Sequence, residues 1–154
     1  MNRIVKLTLV AASALALGAI ALPAAARSSV AFIGRAQFPA EAGCFVESFG
    51  TMINNCSSMT SLIIPLIVDP GASGNYVYAT VTAYAASTTG MVRCASFGVD
   101  SASGTVWGGA MQNLPALGSR QDIVLPGAYY FNSNSTAYVA CHVGPGGQVN
   151  QIRY

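Results

Sequence analysis

His142 is the only histidine in the chain. As a general base it would need an orienting carboxylate and a nucleophile within hydrogen-bond reach. It sits in Thr136–Val143, next to Cys141, where residues alternate in character. If Cys141 faces a core, His142 faces outward, and no G-x-S-x-G elbow accompanies it. A surface histidine accounts for the same residue. The acids are Glu41, Glu47, Asp69, Asp100 and Asp122. A glycosidase needs two of them about 5 to 9.5 Å apart. Glu41 and Glu47 flank Cys44 and are the closest pair in sequence, but two solvated carboxylates explain them equally. The stretch Asp69-Pro70-Gly71-Ala72-Ser73-Gly74-Asn75 has oxygen donors at positions one, five and seven. It lacks the bidentate glutamate that closes a calcium loop, and a turn between strands suffices. Asp100-Ser101-Ala102-Ser103-Gly104 reads the same way. No catalytic residue, metal site or cofactor is therefore assigned.

Four cysteines, Cys44, Cys56, Cys94 and Cys141, have neither C-x-x-C spacing nor histidine partners for zinc. An even count in an exported chain reads as disulfides. Cys44–Cys56 is the expected bridge of one short segment. Cys94–Cys141 is expected to join two strand-like runs across the core. In the chain-entropy model the two loops contribute about 3 and about 4 kcal/mol.

The aromatic residues offer recognition rather than catalysis. Tyr76, Tyr78 and Tyr84 fall on one face of an alternating run, Asn75 to Tyr84, with Thr80 and Thr82 between them. Tyr129, Tyr130 and Phe131 precede an Asn-Ser-Asn-Ser turn. Rings two residues apart on a strand stand about 6.5 to 7 Å apart. Flat rings with polar tips stack on sugars or pack on a partner protein. Tyr76, Tyr78 and Tyr84 are accordingly the candidate ligand-binding residues. Cross-strand Tyr–Thr pairing inside an ordinary sheet is the competing explanation.

These residues need strands to position them. Alternation over Asn75–Tyr84, Met91–Val99 and Thr136–Val143 predicts strands. Leu62–Val68, Thr105–Ala110, Gln121–Leu125 and Val149–Tyr154 are further candidates, with Gly- and Pro-containing turns between them. Residues 27–43 are less regular and suit an edge strand or a loose arm. The expected fold is all-β, an antiparallel β-sandwich or jelly-roll-like domain of about seven to nine short strands.

Upstream, Arg3 and Lys6 precede an uncharged run, Leu7–Leu22, and then Pro23-Ala24-Ala25-Ala26. Basic head, apolar middle and small-residue end predict a secretory signal cleaved after Ala26. Residues 1–26 are thus the expected signal peptide and 27–154 a single domain. The run is short of the roughly 20 apolar residues that span a bilayer. No other stretch is long and apolar enough, so no membrane span is expected after signal removal. Of seven basic residues, five remain in the expected mature chain, all arginine, against five acids. A chain with no net charge and no basic cluster lacks the counterion-release grip on nucleic acid.

The I-P-L-I-V-D run (Ile63–Asp69), its Pro-Gly turn, the Tyr/Val strand, Val92-Arg93-Cys94, and Ala137-Tyr138-Val139-Ala140-Cys141 together resemble small exported bacterial two-disulfide β proteins of no assigned function. The resemblance covers roughly Cys44 to Tyr154 and carries no catalytic residues. It implies a secreted or periplasmic location and, for a bacterial source, makes the sequons at Asn55 and Asn134 uninformative. The leading expectation is a non-enzymatic exported binding or structural module, partnered by a carbohydrate or another exported protein. The alternatives are a small secreted hydrolase using His142 or a carboxylate pair, and a pilin-like surface-fibre subunit.

Overall fold

A computed structural model describes residues 27–154. The expected signal segment, residues 1–26, lies outside the described residues. Among the described residues, fourteen short strands follow in order. They are β1 (Ser28–Val30), β2 (Arg35–Ala36), β3 (Phe45–Ser48), β4 (Thr51–Asn54), β5 (Thr60–Leu66), β6 (Asn75–Val77) and β7 (Thr80–Tyr84). Next come β8 (Val92–Val99), β9 (Val106–Gly108), β10 (Gln112–Asn113), β11 (Gln121–Val124), β12 (Ala128–Tyr130), β13 (Thr136–Val143) and β14 (Gln148–Arg153). One sheet runs β11-β7-β14-β4-β3, with β1 also on β14. A second runs β10-β8-β13-β5-β2, with β9 also on β8. A two-stranded ribbon, β12-β6, completes the fold. Every pairing is antiparallel. Among the described residues no helix is long and apolar enough to cross a membrane.

Period-two patterning puts the apolar face of each sheet into one core. Val81, Ala83, Ile123, Val149 and Ile152 come from the first sheet, and Leu62, Ile64, Val92, Val139 and Val143 from the second. The architecture is an all-β sandwich, with more strands than expected. Two physical reasons account for the excess. The run Asn75–Tyr84 is not one strand. It breaks after Val77, where its neighbour passes through Pro126, which has no N–H to continue the ladder. The carbonyl of Pro126 instead accepts the Ser96 hydroxyl. Residues 45–54, in turn, form a tight hairpin, β3–β4, across a two-residue Phe49-Gly50 turn. Both turn residues have positive φ, 49° and 81°, which fits a type I′ turn.

The bridges are Cys44–Cys56 and Cys94–Cys141. The second does not span the two sheets, as the sequence suggested. Cys94 and Cys141 are direct register partners on β8 and β13, with Cα atoms 4.1 Å apart, so the bond staples neighbours within one sheet. Both are fully buried.

Asn54 organises the short bridge. It is completely buried at the end of β4. Its Nδ2 donates to the carbonyls of Ser58 (2.8 Å) and Val143 (2.7 Å), and its Oδ1 accepts the Cys56 N–H at 2.9 Å. One side chain therefore ties the disulfide loop to β13 in the opposite sheet.

Candidate functional site

The β6–β12 ribbon lies against β8. A Cβ on Gly98 would stand 1.8 Å from the Tyr129 carbonyl oxygen, so only glycine lets the two backbones approach this closely. Alternation then sorts the ribbon's side chains. Val77, Ala128 and Tyr130 turn inward and are buried. Tyr76 and Tyr129, register partners, turn outward. Their rings meet edge to face with centroids 5.4 Å apart. Tyr78 extends the row on one side, 6.4 Å from Tyr76, and its ring covers Gly127. Phe131 extends it on the other, 5.1 Å from Tyr129 and perpendicular to it. Tyr76 is 49% exposed and Tyr78 67%, while Tyr129 and Phe131 are half-buried supports. The result is a continuous row of four rings, open to solvent along the Tyr78–Tyr76 end.

Tyr84 is not part of this row. The break after Val77 places it on β7 in the first sheet, opposite Gln148 of β14. The expectation that Tyr76, Tyr78 and Tyr84 share one strand face is corrected on this point. Tyr129 and Phe131 join the row instead. Their adjacency to Tyr76 depends on the β6–β12 register, which no local pattern reveals.

Polar loops border the Phe131 end. Asn132 Nδ2 donates to Asp100 Oδ1 at 2.9 Å, joining the 132–135 turn to the 100–105 turn. Asp100 also accepts the Ser103 hydroxyl and the N–H groups of Ala102 and Ser103. The Ser103 hydroxyl, then Ala102 N–H, hold its carboxyl below the usual aspartate range. These bonds fold the Asp100–Gly104 loop around its own carboxylate.

The other acids are also committed to local structure. Glu41 accepts the Ser61 N–H, and Glu47 accepts the Gly50 N–H of the hairpin turn. Asp69 pairs with Arg27, and Asp122 accepts the Thr82 hydroxyl and pairs with Arg153. The Thr82 bond, and to a lesser degree Arg153, lower the Asp122 pKa. In the 69–75 loop, the Ser73 hydroxyl donates to Pro70 O and the Asn75 amide to Ser73 O. Among the described residues no three His, Cys, Asp or Glu side chains converge as metal ligands.

His142 lies half-buried on the outer face of the second sheet, between Arg93 of β8 and Ser61 of β5. Its Nδ1 accepts the Arg93 Nε–H at 3.3 Å. Burial, then the Arg93 charge, push its pKa down, and Glu41 partly opposes them. An imidazole whose Nδ1 accepts from a guanidinium is held neutral. No hydrogen bond joins it to the Ser61 hydroxyl or to a carboxylate among the described residues.

Comparison with protein-family models, with curated proteins and with solved structures finds no match to this chain.

Proposed function

We propose that this chain is an exported, non-enzymatic carbohydrate-binding module that holds neutral saccharides on the Tyr78–Tyr76–Tyr129–Phe131 row. The observation that carries the reading is the exposure of large, flat apolar rings in one continuous row. The parts of Tyr76 and Tyr78 left open to water add nothing to the stability of the fold. Each ring offers a C–H-binding face and, for the tyrosines, a hydroxyl at its edge. Neutral amides and hydroxyls of the adjoining Asn132–Ser135 turn suit sugar hydroxyls, whereas an anionic ligand would meet the Asp100 carboxylate there. The engagement of all five carboxylates in local bonds, and of His142 with Arg93, favours binding over hydrolysis. Two formed disulfides fit an oxidising location outside the cytoplasm. The apolar, cleavable leader expected at residues 1–26 supports export to the periplasm or the medium.

The test is retention on neutral polysaccharides and isothermal titration with linear oligosaccharides, cellohexaose and chitohexaose among them. The Tyr76→Ser/Tyr78→Ser variant should lose about tenfold or more in affinity, since each stacked ring contributes about 0.5 to 1.5 kcal/mol beyond its buried area. Its melting temperature should stay near that of the parent. Equal binding by parent and variant would exclude the row as the site.

A further inference from the structure

A groove of about 420 Å³ crosses the outer face of the first sheet, well within the size range of ligand sites. Its floor is β14 and its walls are the β3–β4 hairpin tip, Val30 and Arg120. Four features of this groove point the same way.

The first is a β-bulge between Val149 and Gln151. A regular strand shows alternate residues on one face. Here Val149 and Ile152 both face the core, so Asn150 and Gln151 both turn outward beside Gln148. The bulge therefore gathers three side-chain amides in one place, and bulges often re-aim side chains at functional sites.

Those amides are also under-used. Among the described residues, neither glutamine side chain makes a hydrogen bond. Asn150 donates to the Thr51 hydroxyl at 3.0 Å, and its Oδ1 is buried with no donor. An unpaired buried acceptor is costly, and Asn150 is among the residues that line the groove.

Phe49 stands at the rim. It is fully exposed, and its φ of 49° is a conformation that bulky residues avoid. The ring thus gains no burial to offset its backbone strain. Strain without a structural return is a pointer to function.

The fourth feature is charge. Arg120 is exposed and, like Arg35 and Arg93, has no ion pair among the described residues, and it is the arginine that lines this groove.

We infer that this groove is a second binding site, separate from the tyrosine row, for a saccharide that carries a carboxylate. The amides address sugar hydroxyls, the Phe49 ring the C–H face of a pyranose, and the Arg120 guanidinium the carboxylate, a geometry suited to bidentate pairing. A neutral sugar would leave Arg120 idle. A simple anion would leave the amides and the ring idle.

The test uses the oxidised mature chain and three probes: trigalacturonic acid, its carboxyl-reduced counterpart, and acetate. The parent should bind the acid about tenfold or more tightly than the reduced form, the size of one charge-assisted hydrogen bond. Arg120→Gln should erase that preference while keeping neutral-oligosaccharide binding at the tyrosine row, so the two readings fail separately. Phe49→Asn suits the left-handed turn and so preserves the fold. It should weaken both trisaccharides by about fivefold without lowering the melting temperature. Absence of binding, equal affinity for acid and reduced forms, a preference that survives Arg120→Gln, or displacement by acetate at equal concentration would each overturn the proposal.

Discussion

Replacing Asn54 should cost more stability than any other single polar substitution in the chain. The side chain is fully buried and makes three hydrogen bonds, the one to Val143 buried and those to Ser58 and Cys56 part-buried. Asn54→Ala removes one acceptor and two donors. It strands the Cys56 N–H and leaves the carbonyls of Ser58 and Val143 without this donor. Each net bond contributes about 1 kcal/mol, and each stranded buried group costs about 1 to 3 kcal/mol. Water entering the small void limits the loss, so the expected destabilisation is about 3 to 4 kcal/mol. For a domain of this size that lowers the melting temperature by about 10 to 15 °C. Asn54→Asp should be at least as damaging at neutral pH, because it points a carboxylate at two carbonyl oxygens. Its buried carboxyl would have a raised pKa, so relative to the parent this variant should recover stability as pH falls through that value. Asn55→Ala, at an exposed neighbour, serves as control and should change stability by less than about 0.5 kcal/mol. Urea denaturation of oxidised protein gives the values. A loss below about 1 kcal/mol for Asn54→Ala, with an unchanged denaturant slope, would refute the assignment of Asn54 as the tie between the disulfide loop and the second sheet.

Phe49→Asn should raise stability by about 1 kcal/mol, because asparagine tolerates the left-handed turn position and the exposed ring contributes no burial; calorimetry checks it. Gly98→Ala should cost about 3 kcal/mol or more and displace the ribbon, since the new methyl meets the Tyr129 carbonyl; loss of the Tyr76–Tyr129 ring contact by NMR would accompany it. His142, the lone imidazole, should titrate below 6.5 by NMR, and Arg93→Gln should raise its pKa without restoring the ordinary value, because burial is the larger cause. Its folded pKa lies below its unfolded one, so its contribution to stability is complete above about pH 6.5 and declines as pH falls through the window beneath.

How much of this was legible in the sequence differs from element to element. β8 and β13 were readable because core positions such as Val92 and Cys94, and Val139, Cys141 and Val143, recur at period two, and β5 because a short apolar run ends at a Pro-Gly turn. The β3–β4 hairpin was not, because its turn is Phe-Gly rather than the Asn-Gly or Asp-Gly that normally announces two positive φ angles. The break between β6 and β7 was hidden for a different reason. Its cause, Pro126, sits on the partner strand about fifty positions away. The same break separates Tyr84 from Tyr76 and Tyr78. Cysteine pairing followed from which runs looked strand-like, but the within-sheet geometry of Cys94–Cys141 required the β8–β13 register. The row itself was half visible: Tyr76 and Tyr78 are neighbours in sequence, whereas Tyr129 and Phe131 reach them only through register and through the space left by Gly98. The bulge at Asn150 left no signature beyond a run of amide residues near the C-terminus.

The central claim is that saccharide sits on the tyrosine row, and ring-proton NMR of the oxidised parent chain tests it most directly. On titration with cellohexaose or chitohexaose to about millimolar concentration, the account expects the ring resonances of Tyr76, Tyr78 and Tyr129 to shift together along one binding curve, with saturation transfer from those rings to the sugar C–H protons and no change at His142. Binding that shifts other residues while these three rings stay fixed, or no binding across the neutral oligosaccharides, would contradict it.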